Sequence, residues 1–402
     1  MLSYWLARIA AHLRGIASAA SHHSPGPDPG PPAPGLAPGI SVVIPSRNGR
    51  ALLNAQLSGI LRESPDEVIV VDNGSDDGTF SWLAADYPSV IVETSPEPLG
   101  FARSINRGLR RVRHARVCLL NNDMLIEPGF FTALDAAFTS TPDLFCATAQ
   151  IRFPEGVRRE ETGKAVMRQQ GRHDFPIRCD DPLPGEDGTW VLYGSGGCSL
   201  YDTAKLAALG GVDEVYDPAY VEDLDLGYRA WLRGWPSVYV AGAVVEHRHR
   251  ATTSRYYTEE QLSELLEINY LKFLARAIES PQLFRRLWKV NLDRLRATQR
   301  HSALRAAAGI AFRWDRRLRL SRTGQRPVPP SEDLLLALTD GSVACFPGRG
   351  EAEPVVIAAD RLEPPPAALL ERHHQVVVVR GAKKSPAFRA AESMLRQQAL
   401  GL

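Results

Sequence analysis

Three clusters of acidic and amide side chains follow short apolar runs, and their residue types suit cation binding or proton transfer. Asp72 follows the run Glu67 to Val71, where an ionised carboxylate can accept hydrogen bonds from a pyrimidine imide or from ribose hydroxyls. Asp123 follows the run Leu119 to Asn122, where it can supply an oxygen ligand to a hard divalent cation that bridges a diphosphate. Each has a structural alternative: Asp72 as an ordinary turn aspartate, and Asp123 as an acid near the start of a helix.

The third cluster places three acids, Glu222, Asp223 and Asp225, at the start of a helix predicted over Glu222 to Arg233. This is more acid than the helix dipole needs for complementarity. A carboxylate at this position stays ionised, and it can take the proton of a hydroxyl that attacks an electrophilic carbon. Asp223 therefore fits a general base. Further along, His247 follows an apolar segment and can complete a metal shell or meet a phosphate oxygen, although exposed loop histidines are usually only solvated.

Motifs of several other protein classes are absent from the sequence. There is no GxxxxGK[ST] phosphate loop, the run Gly194 to Gly197 lacks the G-x-G-x-x-G spacing, and no serine nucleophile elbow occurs. A P-loop ATPase and a dinucleotide dehydrogenase are therefore disfavoured. The 47 Lys and Arg against 46 Asp and Glu leave a net charge of +1, which selects no partner. The 5 cysteines have no CxxC spacing, which disfavours a disulfide framework or a zinc cluster and favours a reducing compartment.

The hydrophobic pattern predicts the elements that must position these side chains. Short, mostly β-branched apolar runs alternate with helical periodicity, which predicts an α/β fold with a mostly parallel central sheet and helices on both faces. Ligands of such sheets bind beyond the carboxyl ends of the strands, which is where the clusters fall. The predicted strands are Ile40 to Pro45, Glu67 to Val71, Val90 to Val92, Arg116 to Leu120, Val191 to Leu200 and Ser237 to Val240.

The length of 402 residues predicts about two to three domains. Residues 24–39 are rich in Pro and Gly, which indicates a semi-stiff linker. The predicted order is an amphipathic N-terminal helix over 1–23, this linker, an α/β domain over 40–260, a helical basic extension over 261–326 and a small α+β appendage over 327–402. Within the appendage the predicted strands are Leu334 to Leu338, Val355 to Ala358 and Gln375 to Val379, and a helix is predicted near Pro386 to Leu400.

The extension carries an unusual density of positive charge. Between Arg285 and Arg326 there are 13 Lys or Arg but only two acids, and apolar residues recur among them at helical spacing. This pattern is typical of a helix that lies on anionic lipid or nucleic acid, or of a solvated face whose apolar side packs on the domain. No nucleic-acid recognition module accompanies it, which disfavours nucleic acid as a partner. No apolar run is long enough to span a membrane.

Five segments occur in the order seen in family 2 glycosyltransferases, and together they resemble the rhamnosyltransferase-type members of that family. They cover roughly Ile40 to Phe273. The resemblance implies a GT-A fold, a nucleotide-diphosphate sugar donor, Mn²⁺ or Mg²⁺, and inversion at the anomeric carbon by direct displacement. The five segments are SVVIPSRN, EVIVVDNGSDDGT, EPLGFARSINRGL, VCLLNND and GSGGCSLYDTAKLAALGGVDEVYDPAYVEDLDLGYRAWLRGW.

The resemblance also implies roles for individual residues. On the donor side it places Pro45, Arg47 and Asn48 beside the nucleotide, Asp72 at the base, Gly100, Arg103 and Asn106 around the ribose and diphosphate, and Asn121 and Asn122 near the donor. On the acceptor side it makes Asp223 the base with Glu222 as its acidic neighbour, sets Gly196 and Gly197 near the acceptor, and has Asp225 and Arg229 brace the helix. The metal ligands are Asp123 and His247, with His249 as the less favoured alternative. Asn121 stands where relatives commonly carry an acid.

These implications predict an inverting, metal-dependent enzyme of cell-surface polysaccharide synthesis. It would move rhamnose from a dTDP donor, or another hexose, to a hydroxyl of a glycan or lipid-linked acceptor. We expect a cytoplasmic protein whose N-terminal helix and basic extension lie against the anionic inner leaflet. Two alternatives stay open: a non-catalytic carbohydrate- or lipid-binding scaffold of the same fold, suggested by Asn121, and a sugar nucleotidyltransferase that would release pyrophosphate.

Overall fold

The computed structural model describes residues 35–154, 187–248, 256–278, 280–310, 332–339 and 341–400. The predicted N-terminal helix, most of the predicted linker and the end of the basic extension lie outside these residues, as does His249.

Among the described residues, nine strands form the main sheet in the order β3-β2-β1-β4-β8-β6-β9-β5, with β7 paired to β9. The strands β1 to β4, β6 and β9 run in one direction, so the sheet is mostly parallel as predicted. The strands are β1 Ala37–Ser46, β2 Glu67–Asn73, β3 Ile91–Ser95, β4 His114–Leu120, β5 Met124–Ile126, β6 Cys146–Arg152, β7 Trp190–Val191, β8 Cys198–Asp202 and β9 Ser237–His247.

Helices cover both faces of this sheet. Alternate residues of a strand point to opposite faces, and the core divides accordingly. On one face Val42 and Ile44 pack with Leu53 and Leu57 of the first helix, and on the other face Val43 packs in the cluster that includes Ile105. The helices of this part are α1 Arg50–Arg62, α2 Thr79–Asp86, α3 Phe101–Leu109, α4 Phe130–Ser140, α5 Thr203–Ala208 and α6 Glu222–Trp231, with a 3-10 turn at Glu214–Tyr216.

The C-terminal part adds helices and a second sheet of three strands, in which β12 lies between β10 and β11. Buried residues of this part, including Leu335 and Met394, belong to the main hydrophobic core, so the appendage packs directly on the α/β domain. The elements are α7 Glu259–Ala277, α8 Pro281–Ala297, α9 over 301–310, α10 Glu332–Thr339, β10 Val343–Pro347, β11 Val355–Ala359, α11 Ala367–Arg372, β12 Gln375–Arg380 and α12 Pro386–Leu400.

Two predicted strands are wrong. Leu334 to Leu338 lies within the helix Glu332–Thr339, because its Leu and Ala residues are strong helix formers and lack the polar alternation of a half-buried strand. The predicted strand Val191 to Leu200 is two short strands, β7 and β8. The glycine-rich segment between them forms a loop, since glycine weakens a strand interior.

Within the described part of the basic extension, the helix α8 packs as one of the two predicted alternatives. On α8 the apolar Leu283, Phe284 and Leu287 are buried in the main core, while Arg285 and Lys289 are exposed. The apolar side is therefore used for packing on the domain and is not available to enter a lipid bilayer. Among the helices whose residues are described, none combines the length and apolarity needed to cross a membrane.

Candidate active site

The loops that follow β1 and β2 are hydrogen-bonded to each other. Asn48 has φ of 48°, which turns its amide towards the second loop. Its backbone N–H donates to Ser75 Oγ at 2.9 Å, and its side-chain oxygen accepts from the Asp76 N–H at 2.9 Å. Ser46 pairs with Asp72 in the parallel register, and the buried Asp72 carboxylate accepts from the Ser75 N–H at 3.2 Å. The predicted donor residues Pro45 to Asn48 and Asp72 therefore meet at one edge of the sheet.

Arg47 contacts an aromatic residue that the sequence analysis missed. Its guanidinium carbon lies 4.1 Å from the centre of the Tyr256 ring. Its Nε is buried and has no hydrogen-bond partner among the described residues. The sequence has the pair Tyr256-Tyr257, but only the fold brings Tyr256 beside the loop after β1.

The predicted residues of α3 contact the loop over 211–217. Arg103 Nε pairs with Asp217 Oδ2 at 2.6 Å, and a side chain at Gly100 would collide with the same carboxylate. The Asn106 amide donates to the Val212 carbonyl at 2.8 Å and accepts from the Val212 N–H at 3.0 Å. Because both ends of this amide are engaged, we expect Asn106 to hold the loop and not to contact the donor.

Strand pairing brings Asp123 and His247 together. His247 pairs with Met124 in the antiparallel register of β5 and β9, and the Arg248 N–H donates to the Asp123 carbonyl at 2.9 Å. His247 Nε2 lies 3.4 Å from Asp123 Oδ1. This oxygen is buried and makes no hydrogen bond to any described residue. Next to it, the Asn122 amide donates to Ser46 Oγ at 2.9 Å, which ties the segment to β1.

The Asp123 and His247 pair fits a divalent cation that also binds substrate oxygens. Two ligands of one cation, each at about 2.1 Å, lie roughly 3.0 to 3.4 Å apart at octahedral to tetrahedral angles. The 3.4 Å separation satisfies this condition, and the absence of a hydrogen bond to Asp123 Oδ1 leaves this oxygen able to bind a cation. No group of three or more His, Cys, Asp or Glu suited to a metal occurs within the described residues. Mg²⁺ is commonly held by one or two carboxylates, of which Asp123 would supply one, and completes its shell with phosphates and water.

The acids that open α6 have perturbed ionisation. Glu222 is buried, and its Oε2 has no hydrogen-bond partner among the described residues. Burial, followed by the neighbouring Asp223 charge, raises the pKa of Glu222 to about 8. Burial also raises the pKa of the half-buried Asp223 to about 6, although the N–H groups of Leu224 and Gly196 favour its charged form. The Leu224 N–H donates to Asp223 Oδ1 at 2.8 Å.

A strained turn leads into these acids. Tyr220 and Val221 are consecutive residues with φ of 74° and 80°, a region that L-residues rarely adopt and that is least suited to a β-branched side chain. Such residues cost on the order of 1–3 kcal/mol each and cluster at functional sites. Nothing in the local sequence signals this strain, because neither residue is the glycine or asparagine typical of such turns.

Asp225 and Arg229 brace α6 as the resemblance implied. The buried Asp225 carboxylate accepts from Tyr216 Oη at 3.0 Å and from Arg229 Nε at 2.7 Å. The Arg229 guanidinium also donates to the carbonyls of Leu209 and Gly211.

The glycine loop before β8 lies between the two predicted catalytic segments. The Asn121 N–H donates to the Gly197 carbonyl at 2.8 Å. A Cβ at Gly196 would lie 3.6 Å from Asp223 Cβ and 3.5 Å from the Phe101 ring, which the sequence analysis did not single out. The segment that carries Asp123 and the turn that carries Asp223 thus contact the same two-residue loop, the first at Gly197 and the second at Gly196.

Comparison with known proteins agrees with this architecture. The profile of "Glycosyltransferase like family 2" matches residues 38–262, which is more than half of the chain. This match, on a sheet of the topology described above, defines the protein as a glycosyltransferase. More narrowly, the chain belongs to glycosyltransferase family 2. The predicted family is confirmed, and so is the predicted α/β fold with a mostly parallel sheet and helices on both faces.

Three relatives share 30% or less of their residues with the chain over the matched regions. The chain is 30% identical over 217 residues to N-acetylglucosaminyl-diphospho-decaprenol L-rhamnosyltransferase of Mycobacterium tuberculosis (strain ATCC 25618 / H37Rv), covering 48% of this chain and 70% of the relative. It is 27% identical over 234 residues to validoxylamine A glucosyltransferase of Streptomyces hygroscopicus subsp. limoneus, covering 52% and 51%. A solved structure of mannosyltransferase PcManGT from Pyrobaculum calidifontis, in complex with GDP-Man and Mn²⁺, is 18% identical with a TM-score of 0.43, covering 81% of this chain and 86% of that one.

Proposed function

We propose that this glycosyltransferase moves a sugar from a nucleotide diphosphate to a hydroxyl of a glycan or lipid-linked acceptor, with inversion, in cell-surface polysaccharide synthesis. The observation that carries the proposal is the position of the Gly196-Gly197 loop. Its Gly197 contacts Asn121, close in sequence to the Asp123 and His247 pair, and its Gly196 contacts Asp223, so one short loop adjoins both segments. This arrangement suits a sugar whose leaving group and attacking hydroxyl lie on opposite faces of the ring.

In this scheme the donor nucleotide binds the loops after β1 and β2. Asp72 accepts hydrogen bonds from the base, while Arg47 and Asn48 line the same edge. Asp123 and His247 would hold the divalent cation, which would supply positive charge to offset the negative charge on the departing diphosphate. Asn122 fixes this segment through its hydrogen bond to Ser46.

Asp223 acts as the general base on the acceptor side. It takes the proton of the acceptor hydroxyl while that oxygen bonds to the anomeric carbon and the bond from this carbon to the diphosphate oxygen breaks. Burial raises the pKa of Asp223 to about 6, which keeps it ionised at neutral pH but more basic than an exposed aspartate. The Gly196 and Leu224 N–H groups orient the carboxylate.

The relatives guide the choice of donor and acceptor. The Mycobacterium relative is named as a rhamnosyltransferase that acts on a decaprenol diphosphate carrying N-acetylglucosamine. We therefore propose dTDP-rhamnose as the first donor to test and a polyprenyl-diphosphate sugar as the first acceptor, with UDP-hexoses as competing donors.

The central test replaces the base. Asp223→Asn should reduce turnover by roughly 10²- to 10⁴-fold and leave the affinity for dTDP unchanged, because the nucleotide loops are untouched. Asp202→Asn is the matched control, since Asn keeps the capping oxygen that Asp202 offers to the start of α5 at the other end of the sheet. Near-normal turnover in Asp223→Asn would refute the base assignment. Pyrophosphate release from a nucleoside triphosphate and a sugar phosphate would instead indicate a nucleotidyltransferase.

A second experiment addresses the cation. Removal of metal with EDTA should abolish transfer, and Mn²⁺ or Mg²⁺ should restore it. Asp123→Asn should also lose the thermal stabilisation that Mn²⁺ with dTDP gives the native protein, which is a readout independent of turnover. Full activity in chelator would contradict a metal role for Asp123 and His247.

We also propose that the exposed basic face of α8 lies near anionic lipid. Arg285, Arg286 and Lys289 are exposed on this face, and the apolar side of the helix is buried, so the attraction would be electrostatic. Charge reversal of the three should reduce binding to anionic vesicles at low salt. Equal binding of the native protein to neutral and anionic vesicles would exclude this contact.

A further inference from the structure

The strained turn before α6 is held by a residue of a different helix. Asn269, on α7, is completely buried. Its side-chain amide nitrogen donates to the carbonyls of Tyr216 at 2.6 Å, Ala219 at 2.8 Å and Tyr220 at 3.2 Å. One amide group therefore connects the 3-10 turn at Tyr216 with the strained turn at Tyr220. The family profile ends at residue 262, so Asn269 lies outside the matched region.

These contacts compensate for an unfavourable backbone. Tyr220 and Val221 both have positive φ, and such a conformation persists only where the surrounding structure fixes it. Val221 has no side-chain capping bond with which to stabilise the start of α6. The residues that follow directly are Glu222 and Asp223. Any relaxation of the turn would therefore move the Asp223 carboxylate.

The orientation of the Asn269 amide is itself fixed. Lys272 Nζ donates to Asn269 Oδ1 at 2.8 Å and to the Val215 carbonyl at 2.8 Å. An ammonium group can only donate, so the amide oxygen must face Lys272 and the amide nitrogen must face the three carbonyls. Lys272 thus attaches the same helix to the 3-10 turn that precedes the strained segment.

We propose that Asn269 is a positioning residue for glycosyl transfer, because it holds the turn that sets Asp223 beside Gly196. The proposal rests on the proposed role of Asp223 as the base. It gives the helix α7 a part in the reaction through its contact with the turn.

The first test measures amide hydrogen exchange in the turn, in the absence of any substrate. Asn269→Ala should speed amide hydrogen exchange across residues 214–224 by about tenfold or more, since the local opening free energy falls. The matched control is Asn291→Ala. Asn291 is 1% exposed and also lies in the C-terminal extension, but its amide nitrogen donates to Leu287 within its own helix, α8. Exchange across 214–224 that is unchanged in Asn269→Ala, or equally raised in both variants, would overturn the proposal.

The second test measures catalysis. Asn269→Ala should lower kcat by about 10- to 100-fold, because a misplacement near 1 Å can cost that much, while the dissociation constant for dTDP stays within about twofold. Asn291→Ala should keep the native kcat per folded molecule. If exchange rises but kcat does not fall, the positioning role is refuted and the proposed function stands. If the native protein transfers no sugar from any nucleotide donor, the proposed function fails, and the catalytic role of Asn269 fails with it.

If Asn269→Ala does not fold, a milder variant tests the positioning role of Asn269. Lys272→Met keeps an unbranched side chain that is shorter by one atom, and it removes the donor that orients the amide. It should lower kcat by about threefold or more, again with unchanged dTDP affinity, and raise exchange over the same residues. Native kcat and native exchange in a folded Lys272→Met protein would refute the proposal.

Discussion

Replacing Glu222 with Gln should stabilise the protein at alkaline pH. The carboxyl group is buried, and its Oε2 is without a hydrogen-bond partner in the part of the chain that is described. Burial and then the Asp223 charge raise the pKa of Glu222 to about 8, from the ordinary value of 4.5. The folded protein therefore retains a proton that the unfolded chain has already lost, so the free energy of unfolding decreases as pH rises through this window. Gln cannot ionise and avoids this loss.

The size of the effect follows from the shift. One pKa unit corresponds to about 1.4 kcal/mol. The shift at Glu222 therefore lowers the free energy of unfolding of the native protein by roughly 1 kcal/mol at about pH 5 and by on the order of 4 kcal/mol at about pH 8. The Glu222→Gln gain should therefore be about 3 kcal/mol larger at the higher pH. Taking the difference between the two pH values cancels any change in packing that the amide itself causes.

The assay is urea unfolding followed by tryptophan fluorescence at both pH values. Glu260→Gln is the control: Glu260 lies in the first turn of α7, as Glu222 does in α6, but its side chain is exposed. A surface change of this kind is usually within about 0.5 kcal/mol, with little dependence on pH. If the gain from Glu222→Gln is no larger at the higher pH than at the lower one, Glu222 is not held in its neutral form.

Three further outcomes are expected. Turnover should fall about tenfold for each pH unit below about 6, because burial raises the pKa of Asp223 to about 6 and a protonated base accepts no proton; a flat rate profile to pH 5 would contradict this. Gly197→Ala should reduce turnover, since its Cβ would lie 2.5 Å from the Asn121 amide nitrogen, whereas Gly59→Ala, with 3.8 Å to its nearest neighbour, should leave it unchanged. Arg229→Met should lower the free energy of unfolding, measured in urea, by about 3–5 kcal/mol, because it removes the ion-pair partner of the buried Asp225 carboxylate. A decrease of less than about 1 kcal/mol would contradict the bracing role.

The first half of the fold is predictable because the strand propensity of its residues agrees with their burial in the sheet. The runs that form β1, β2 and β4 are rich in β-branched and other apolar residues and are buried on both faces of the sheet. Their loops carry Asn, Asp and Gly, which mark strand ends in the sequence itself. Parallel register then brings Ser46 level with Asp72, so the meeting of the loops after β1 and β2 at one edge of the sheet is predictable from the strand pattern.

The rest of the site depends on contacts that no local pattern signals. Tyr256 meets Arg47, and Asn269 meets the turn at Tyr216, across separations of many residues. A buried Asn in a helix looks, in sequence, like any polar position of that helix. The strand predicted at Leu334 failed for a related reason, because a short apolar run does not distinguish a buried strand from a buried helix.

The position of α6 connects these contacts with the C-terminal part of the chain. Tyr228, which lies on the same helix as Asp223, is buried, stacks edge-on against Phe273 of α7 and donates to Glu332 Oε1 of α10 at 2.6 Å. Glu332 Oε2 accepts from the Ser280 N–H just before α8. A chain limited to the family region 38–262 would keep the loops after β1 and β2. It would lose these contacts and the hydrogen bonds that Asn269 donates to the turn. The proposed donor site is thus built by the loops after β1 and β2, whereas the proposed base depends on helical residues that lie beyond the end of the family profile.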